Sequence, residues 1–140
     1  MQVPNQHPTL PFNGLAIVGE APADEEVRQG KPFVGPSGNL LNALLSAVGI
    51  ERAACYVGNV CQYQCVENKI KNALPAWLVE GWRALARDLD ALKPNLILCL
   101  GNHALRAVSR DPTRSVDAWR GTLWVDLYNH KCMATYHPAA

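Results

Sequence analysis

The 140-residue chain carries 13 Lys and Arg against 12 Asp and Glu, a formal net charge of +1, and 49% of its residues are hydrophobic. Those values suit one domain with a single core and exclude wholesale disorder. No apolar run reaches the length of a membrane span, no signal-peptide pattern opens the chain, and the five scattered cysteines favour reduced thiols in the cytoplasm over a disulfide framework.

Met1 to Phe12 is mostly polar and holds three prolines; it reads as a loose arm ahead of a domain spanning 13–140. Leu15 to Val18 is a short buried strand. Turn formers and carboxylates then crowd into Gly19 to Gly38, where a loop leaves the strand's carboxyl end. Leu40, Leu41, Leu44, Leu45 and Val48 recur at helical spacing and Gly49 follows as a stop, which predicts a helix over Gly38 to Val48. Tyr56 to Val60 is a second strand, and the polar stretch Gln62 to Asn72 is a surface excursion.

Pro75 opens the next helix. Its apolar face is Trp77, Leu78, Trp82, Leu85, Leu89 and Leu92, and Lys93-Pro94 ends it. Asn95 to Leu100 is apolar without a break after its first residue, as expected of a strand covered on both faces. A short helix follows from Ala104 to Ser109, then a minor strand over Thr122 to Leu127. The last strand, Cys132 to Thr135, delivers His137-Pro138 just beyond its carboxyl end. Strands alternating with helices imply a mostly parallel sheet with helices on both faces. In such sheets ligands bind outside the carboxyl ends of the strands, so Glu20 to Gly38, Asn59 and His137 are expected to converge there.

Four blocks in order carry a family resemblance: Gly19-Glu20-Ala21-Pro22 with Glu26; Gly30-Lys31-Pro32-Phe33-Val34-Gly35; Gly58-Asn59-Val60; and Thr135-Tyr136-His137-Pro138. With these the chain resembles the uracil-DNA glycosylase superfamily, closest to the bacterial and archaeal family-four type and its phage relatives. The resemblance implies a three-layer α/β/α sandwich around a mostly parallel four-stranded sheet. It also implies a monofunctional glycosylase that hydrolyses the N-glycosidic bond of deoxyuridine in DNA; the cysteines of this chain lead to the expectation of no metal and no cofactor.

Such hydrolysis leaves positive charge on the sugar and negative charge on the departing base. By resemblance Glu20 is the carboxylate that offsets the first or orients water, and His137 donates to the base's O2 to offset the second. Asn59 reads the O4 and N3–H edge, Phe33 stacks on the base, and Glu26 stands where a thymine methyl would project. Pro22 and the Pro36-Ser37-Gly38 turn contact the DNA backbone, since glycine permits close approach and helix-start amides favour phosphate.

Taken singly, these residues have ordinary readings. Glu20 could be a loop carboxylate, Glu26 part of a solvated acidic turn, Phe33 a core anchor, Asn59 a turn cap and His137 plain surface. Asp24 and Glu25 read as solvated, His7 and His130 as solvent-facing, and His103 as structural. The functional reading wins because Glu20, Phe33, Asn59 and His137 fit jointly.

The chain also departs from the family pattern. The family-four type holds a four-iron, four-sulfur cluster on four cysteines: two before the first strand, one near Cys61, and one near Gly81. Residues 1–14 contain no cysteine and none lies near Gly81, so no cluster is expected. Cys61 and Cys65 alone do not complete a zinc site. The family's DNA-wedging loop follows the His-Pro block, where this chain stops at Ala139-Ala140. Either the chain was trimmed there or the loop is absent, in which case duplex flipping is expected to be weak and single-stranded DNA preferred. The family's Arg/Pro-rich stretch after Asn59 is replaced by Cys61-Gln62-Tyr63-Gln64-Cys65. A rival expectation is a catalytically weak or inactive module of the same fold that binds nucleic acid or a protein partner. A nucleotide-binding domain is weaker still, for want of a phosphate-loop fingerprint.

Overall fold

Gly14 and Gly19 bracket the apolar run that forms β1 (Leu15–Gly19), the strand on which the molecule is built. The computed structural model describes residues 2–126 and 128–139. Met1, Leu127 and Ala140 lie outside the described residues, and with them the tips of the expected arm, the expected minor strand and the expected domain.

β1 pairs in parallel with β2 (Tyr56–Asn59) on one side and with β3 (Leu96–Leu100) on the other. β3 pairs in parallel with β5 (Lys131–Thr135), and the two-residue β4 (Trp124–Val125) runs antiparallel along β5. The sheet order is β2-β1-β3-β5-β4. The sheet thus has five strands rather than the expected four; the short antiparallel β4 covers what would otherwise be an open edge.

Alternation along β1 separates two cores. Ile17 faces one side, with Val57, Leu100 and the α2 (Pro36–Ala47) residues Leu41 and Leu45. Ala16 and Val18 face the other, with Leu85 and Leu89 of α3 (Pro75–Leu92) and Leu105 and Val108 of α4 (Asn102–Ser109). The result is the expected three-layer α/β/α arrangement.

Several boundaries differ from expectation for local reasons. The acidic run forms a helix, α1 (Asp24–Gln29), rather than a loop; its three first-turn acids suit the positive end of a helix. α2 begins at Pro36, two residues before the predicted start, because proline at the first turn surrenders an amide that needs no partner. Only Leu41 and Leu45 of its apolar set meet the sheet. Leu40, Leu44 and Val48 form a separate exposed stripe, one residue behind and about 100° round the helix. A short α5 (Val116–Trp119) was not expected. His130, expected to face solvent, is instead largely buried against Asp126, with Nδ1 3.0 Å from Oδ2.

The largest difference is in residues 2–12. Expected to be loose, they lie along the outer edge of β2. Gln6 and Val57 exchange both backbone hydrogen bonds (2.7 and 3.0 Å), the Val3 amide donates to the Gln62 carbonyl (2.7 Å), and the Asn13 amide to the Ala54 carbonyl (2.9 Å). Prolines suit such an edge, where no second ladder asks for their missing amide. None of the described helices is long and apolar enough to cross a membrane.

α3 packs tightly against the residue after β2 at Gly81, where a Cβ would stand 2.0 Å from the Val60 carbonyl oxygen. Alanine normally stabilises a helix interior over glycine by about 1 kcal/mol. Here the clash reverses the sign: Gly81→Ala is expected to destabilise by about 1–3 kcal/mol, the usual cost of overpacking. Thermal or urea unfolding of the variant measures it; a raised midpoint would show that helix and strand can separate freely.

Candidate active site at the carboxyl edge of the sheet

The ladder between β1 and β2 continues past both strand ends. Gly19 is registered against Asn59. The Val60 amide then donates to the Gly19 carbonyl (3.0 Å) and the Cys61 amide to the Glu20 carbonyl (2.9 Å). These bonds hold Glu20 beside Asn59 at the sheet's carboxyl edge. Across β3, the Gly101 amide donates to the Thr135 carbonyl (2.9 Å), so the chain leaving β5 brings His137 to the same edge. Gly101 has φ +92°, and a Cβ there would lie 3.3 Å from the His137 Cβ. Glu20, Phe33, Asn59 and His137 line a single cavity of about 230 Å³, together with Pro22, Glu26, Ser37 and Asn68. It sits where β1 has neighbours leading off in both directions, the switch point of an open parallel sheet.

Asn59 is 3% exposed, and its Oδ1 has no hydrogen-bond partner among the described residues. A buried carbonyl oxygen without a donor is costly, and one lining a cavity is an acceptor ready for a ligand. Its backbone amide donates to Asn5 Oδ1 (3.1 Å), so the first residues of the chain help to hold it. The His137 ring lies 5.6 Å from the Phe33 ring at 29°. His137 Nδ1 accepts the Ala139 amide at 3.1 Å, which leaves the proton of the neutral ring on Nε2. Burial lowers the His137 pKa from its ordinary 6.5, against the opposing pull of the Glu20 and Glu26 carboxylates.

Glu26 is buried and structural as well as cavity-lining. Its Oε1 accepts the Ala23 amide (3.1 Å), and its Oε2 accepts the amides of Val34 (3.0 Å) and Gly35 (2.7 Å). This replaces the solvated acidic turn with a carboxylate that ties α1 to the Phe33 loop through charge-assisted bonds. Pro22, expected against the DNA backbone, is fully buried and forms wall rather than surface. Gly38, given the same role, is also buried: a Cβ there would meet the Phe33 carbonyl oxygen at 2.0 Å, so its glycine serves helix–loop packing. Of that group only Ser37, in the first turn of α2, is both partly exposed and on the cavity.

Asn68 is the cavity residue that sequence reading missed. It sits in a 3-10 turn (Val66–Asn68) within the stretch read as a surface excursion, with φ 54°. Its Oδ1 accepts Gln64 Nε2 (2.9 Å), which also donates to Asp24 Oδ1 (2.5 Å). No spacing or motif marks it; the link back to α1 is made only by the fold.

The residues present do not fit a four-thiolate cluster. Cys61 and Cys65 are both buried, with both Sγ atoms directed at the Tyr63 carbonyl (3.4 and 3.7 Å). Burial, and then neighbouring Cys61, pushes the Cys65 thiol up to about 11, away from the thiolate that iron requires. Position 81 has no room for a side chain. No group of three or more metal-ligating side chains is assembled among the described residues.

The family model for the uracil DNA glycosylase superfamily matches residues 11–140. Among curated relatives, a type-4 uracil-DNA glycosylase of Archaeoglobus fulgidus is 32% identical over 132 residues, covering 90% of this chain and 65% of the relative. Those of Sulfurisphaera tokodaii and Thermotoga maritima are 30% and 31% identical, covering 90% and 89% of this chain and 60% and 64% of their own lengths. The chain thus spans a little under two thirds of these relatives. A match over nearly its whole length, on a fold that assembles the motif residues around one cavity, means that the chain belongs to the uracil-DNA glycosylase superfamily.

Proposed function

We propose that the chain hydrolyses the N-glycosidic bond of deoxyuridine in DNA, releasing uracil and leaving an abasic site. The observation that carries this reading is the pairing, in one cavity, of an unpartnered Asn59 Oδ1 with a His137 ring whose neutral form carries its proton on Nε2. Uracil presents a donor at N3 and acceptors at O2 and O4. Asn59 accepts from N3–H and donates to O4, whereas cytosine offers the opposite pattern on that edge and leaves the amide mismatched. His137 Nε2–H donates to O2.

As the C1′–N1 bond breaks, its electron pair goes to the base, and the growing charge on O2 is met by a donor already in place. Glu20 faces the sugar, where its carboxylate offsets the oxocarbenium-like charge and orients the water whose oxygen bonds to C1′. The water's proton passes to Glu20 or to solvent. Phe33 forms the stacking wall, and Glu26 stands at the C5 side, where it excludes a thymine methyl. The partly exposed Ser37 and the first amides of α2 receive a phosphate. A duplex substrate must also extrude its base. The cysteines are buried free thiols, the state that a reducing compartment such as the cytoplasm maintains.

Single-stranded and duplex oligonucleotides carrying one deoxyuridine, followed by alkaline cleavage of abasic sites, test the reading. The parent is expected to yield strand scission. Glu20→Gln and His137→Ala each lower kcat by about 100- to 1,000-fold, as loss of one charge-stabilising group does. Asn59→Ala costs about 1–3 kcal/mol in kcat/KM, the range for a bidentate amide-to-base pair. A folded parent that cleaves neither substrate overturns the assignment.

The His137 tautomer has its own check. A histidine with a lower pKa folded than unfolded binds fewer protons in the native state. Its contribution to stability therefore rises with pH from the folded value up to the ordinary 6.5 and is constant above it. An NMR titration of the ring should give a midpoint below 6.5 and the Nε2–H tautomer on its alkaline side. The Nδ1–H form removes the donor to O2, and a midpoint above 6.5 overturns the neutral ring, since an imidazolium donates from both nitrogens.

A further inference from the structure

Phe33 is a bulky residue held in the left-handed backbone region, with φ 51°, where side chains other than glycine are strained. Two charged side chains from separate elements grip the backbone around it. On one side Glu26 Oε2 accepts the Val34 and Gly35 amides. On the other, Arg52, in a 3-10 turn (Arg52–Ala54) just before β2, donates from Nη2 to the Pro32 carbonyl (2.6 Å) and from Nη1 to the Phe33 carbonyl (2.5 Å). One backbone group on each of four consecutive residues, the carbonyls of Pro32 and Phe33 and the amides of Val34 and Gly35, is thus held by a guanidinium or a carboxylate.

Arg52 forms no salt bridge among the described residues. Its remaining side-chain bonds aim the guanidinium: Nη1 donates to Asn42 Oδ1 of α2 (3.0 Å) and Nη2 to Gln6 Oε1 (2.9 Å). A planar guanidinium can serve two adjacent carbonyls at once; a lysine ammonium presents a single point of charge.

We propose that Arg52 is a positioning residue for the base-stacking aromatic. It locks the Phe33 backbone in its left-handed conformation, so that the ring stands in the cavity wall before any base arrives. The nature of the stacked group rests on the glycosylase reading; the pre-ordering of the loop does not.

The test uses the full chain with Arg52→Gln, Phe33→Ala and the double variant, and reads two properties. The first is hydrogen exchange at the Val34 and Gly35 amides together with the global unfolding midpoint. Exchange is expected to quicken about tenfold or more in Arg52→Gln, beyond any change in global stability, as local opening does. The second is uracil release. Arg52→Gln is expected to raise KM about tenfold with kcat nearly retained, as loss of uniform binding does. In the Phe33→Ala background the same change adds almost nothing, because the two act as one unit.

Full additivity of the two substitutions, or unchanged exchange at Val34 and Gly35, overturns the proposal. Should Arg52→Gln fail to fold, Arg52→Lys keeps the charge and the aliphatic stem but not the fork, and is read the same way. A parent that releases no uracil overturns the glycosylase reading alone, and the exchange measurement then decides the clamp.

Discussion

No side chain can stand at position 19. A Cβ on the last residue of β1 would lie 2.3 Å from Phe33 Cζ and 2.7 Å from Asn59 Oδ1. The Phe33 ring and the Asn59 amide arrive from different elements and meet over that bare backbone. The same strand end registers β1 against β2 and delivers Glu20 one residue later. Any residue but glycine there would push the ring, the amide or the strand aside, and the cavity would lose two walls together.

Around this point the site is organised by charge acting on backbone rather than by charge pairing with charge. Glu26 spends its oxygens on three amides, and Arg52 spends most of its hydrogens on carbonyl oxygens. Charged groups used this way hold a loop in a conformation its side chains would not choose. His137 shows the complementary effect. Two carboxylates draw its pKa up, yet burial outweighs them. The neutral ring is therefore favoured beside carboxylates, and with Nδ1 accepting the Ala139 amide it presents Nε2–H as a donor to the cavity.

The opening residues contribute more than their composition suggests. Asn5 receives the Asn59 amide, Gln6 receives Arg52, and Val3 is buried beside Gln62. Backbone pairing to β2 and close packing of α3 at Gly81 tie this corner, where the Cys61 and Cys65 thiols share a carbonyl acceptor. Mechanical continuity between the chain's start and the cavity is thus achieved by hydrogen bonds and steric fit.

Much of the architecture was legible in the residues. β1, α3, β3 and β5 fell within a residue of their expected bounds, because apolar runs, periodicity and Gly or Pro stops are local signals read by local sterics. The gathering of Glu20, Phe33, Asn59 and His137 at one edge was legible as well, since the common direction of parallel strands sends every following loop to one edge. Burial was not. Pro22 and Gly38 have the composition of a surface turn, yet the fold closes over them. Proline-rich residues 2–12 read as loose until β2 offers an edge, and Asn68 joins the cavity only through Gln64 and Asp24. Order along the chain and the identity of the candidate groups are properties of neighbours in sequence. Which of their atoms are left free to meet a substrate depends on contacts between residues far apart, and those exist only once the sheet has assembled.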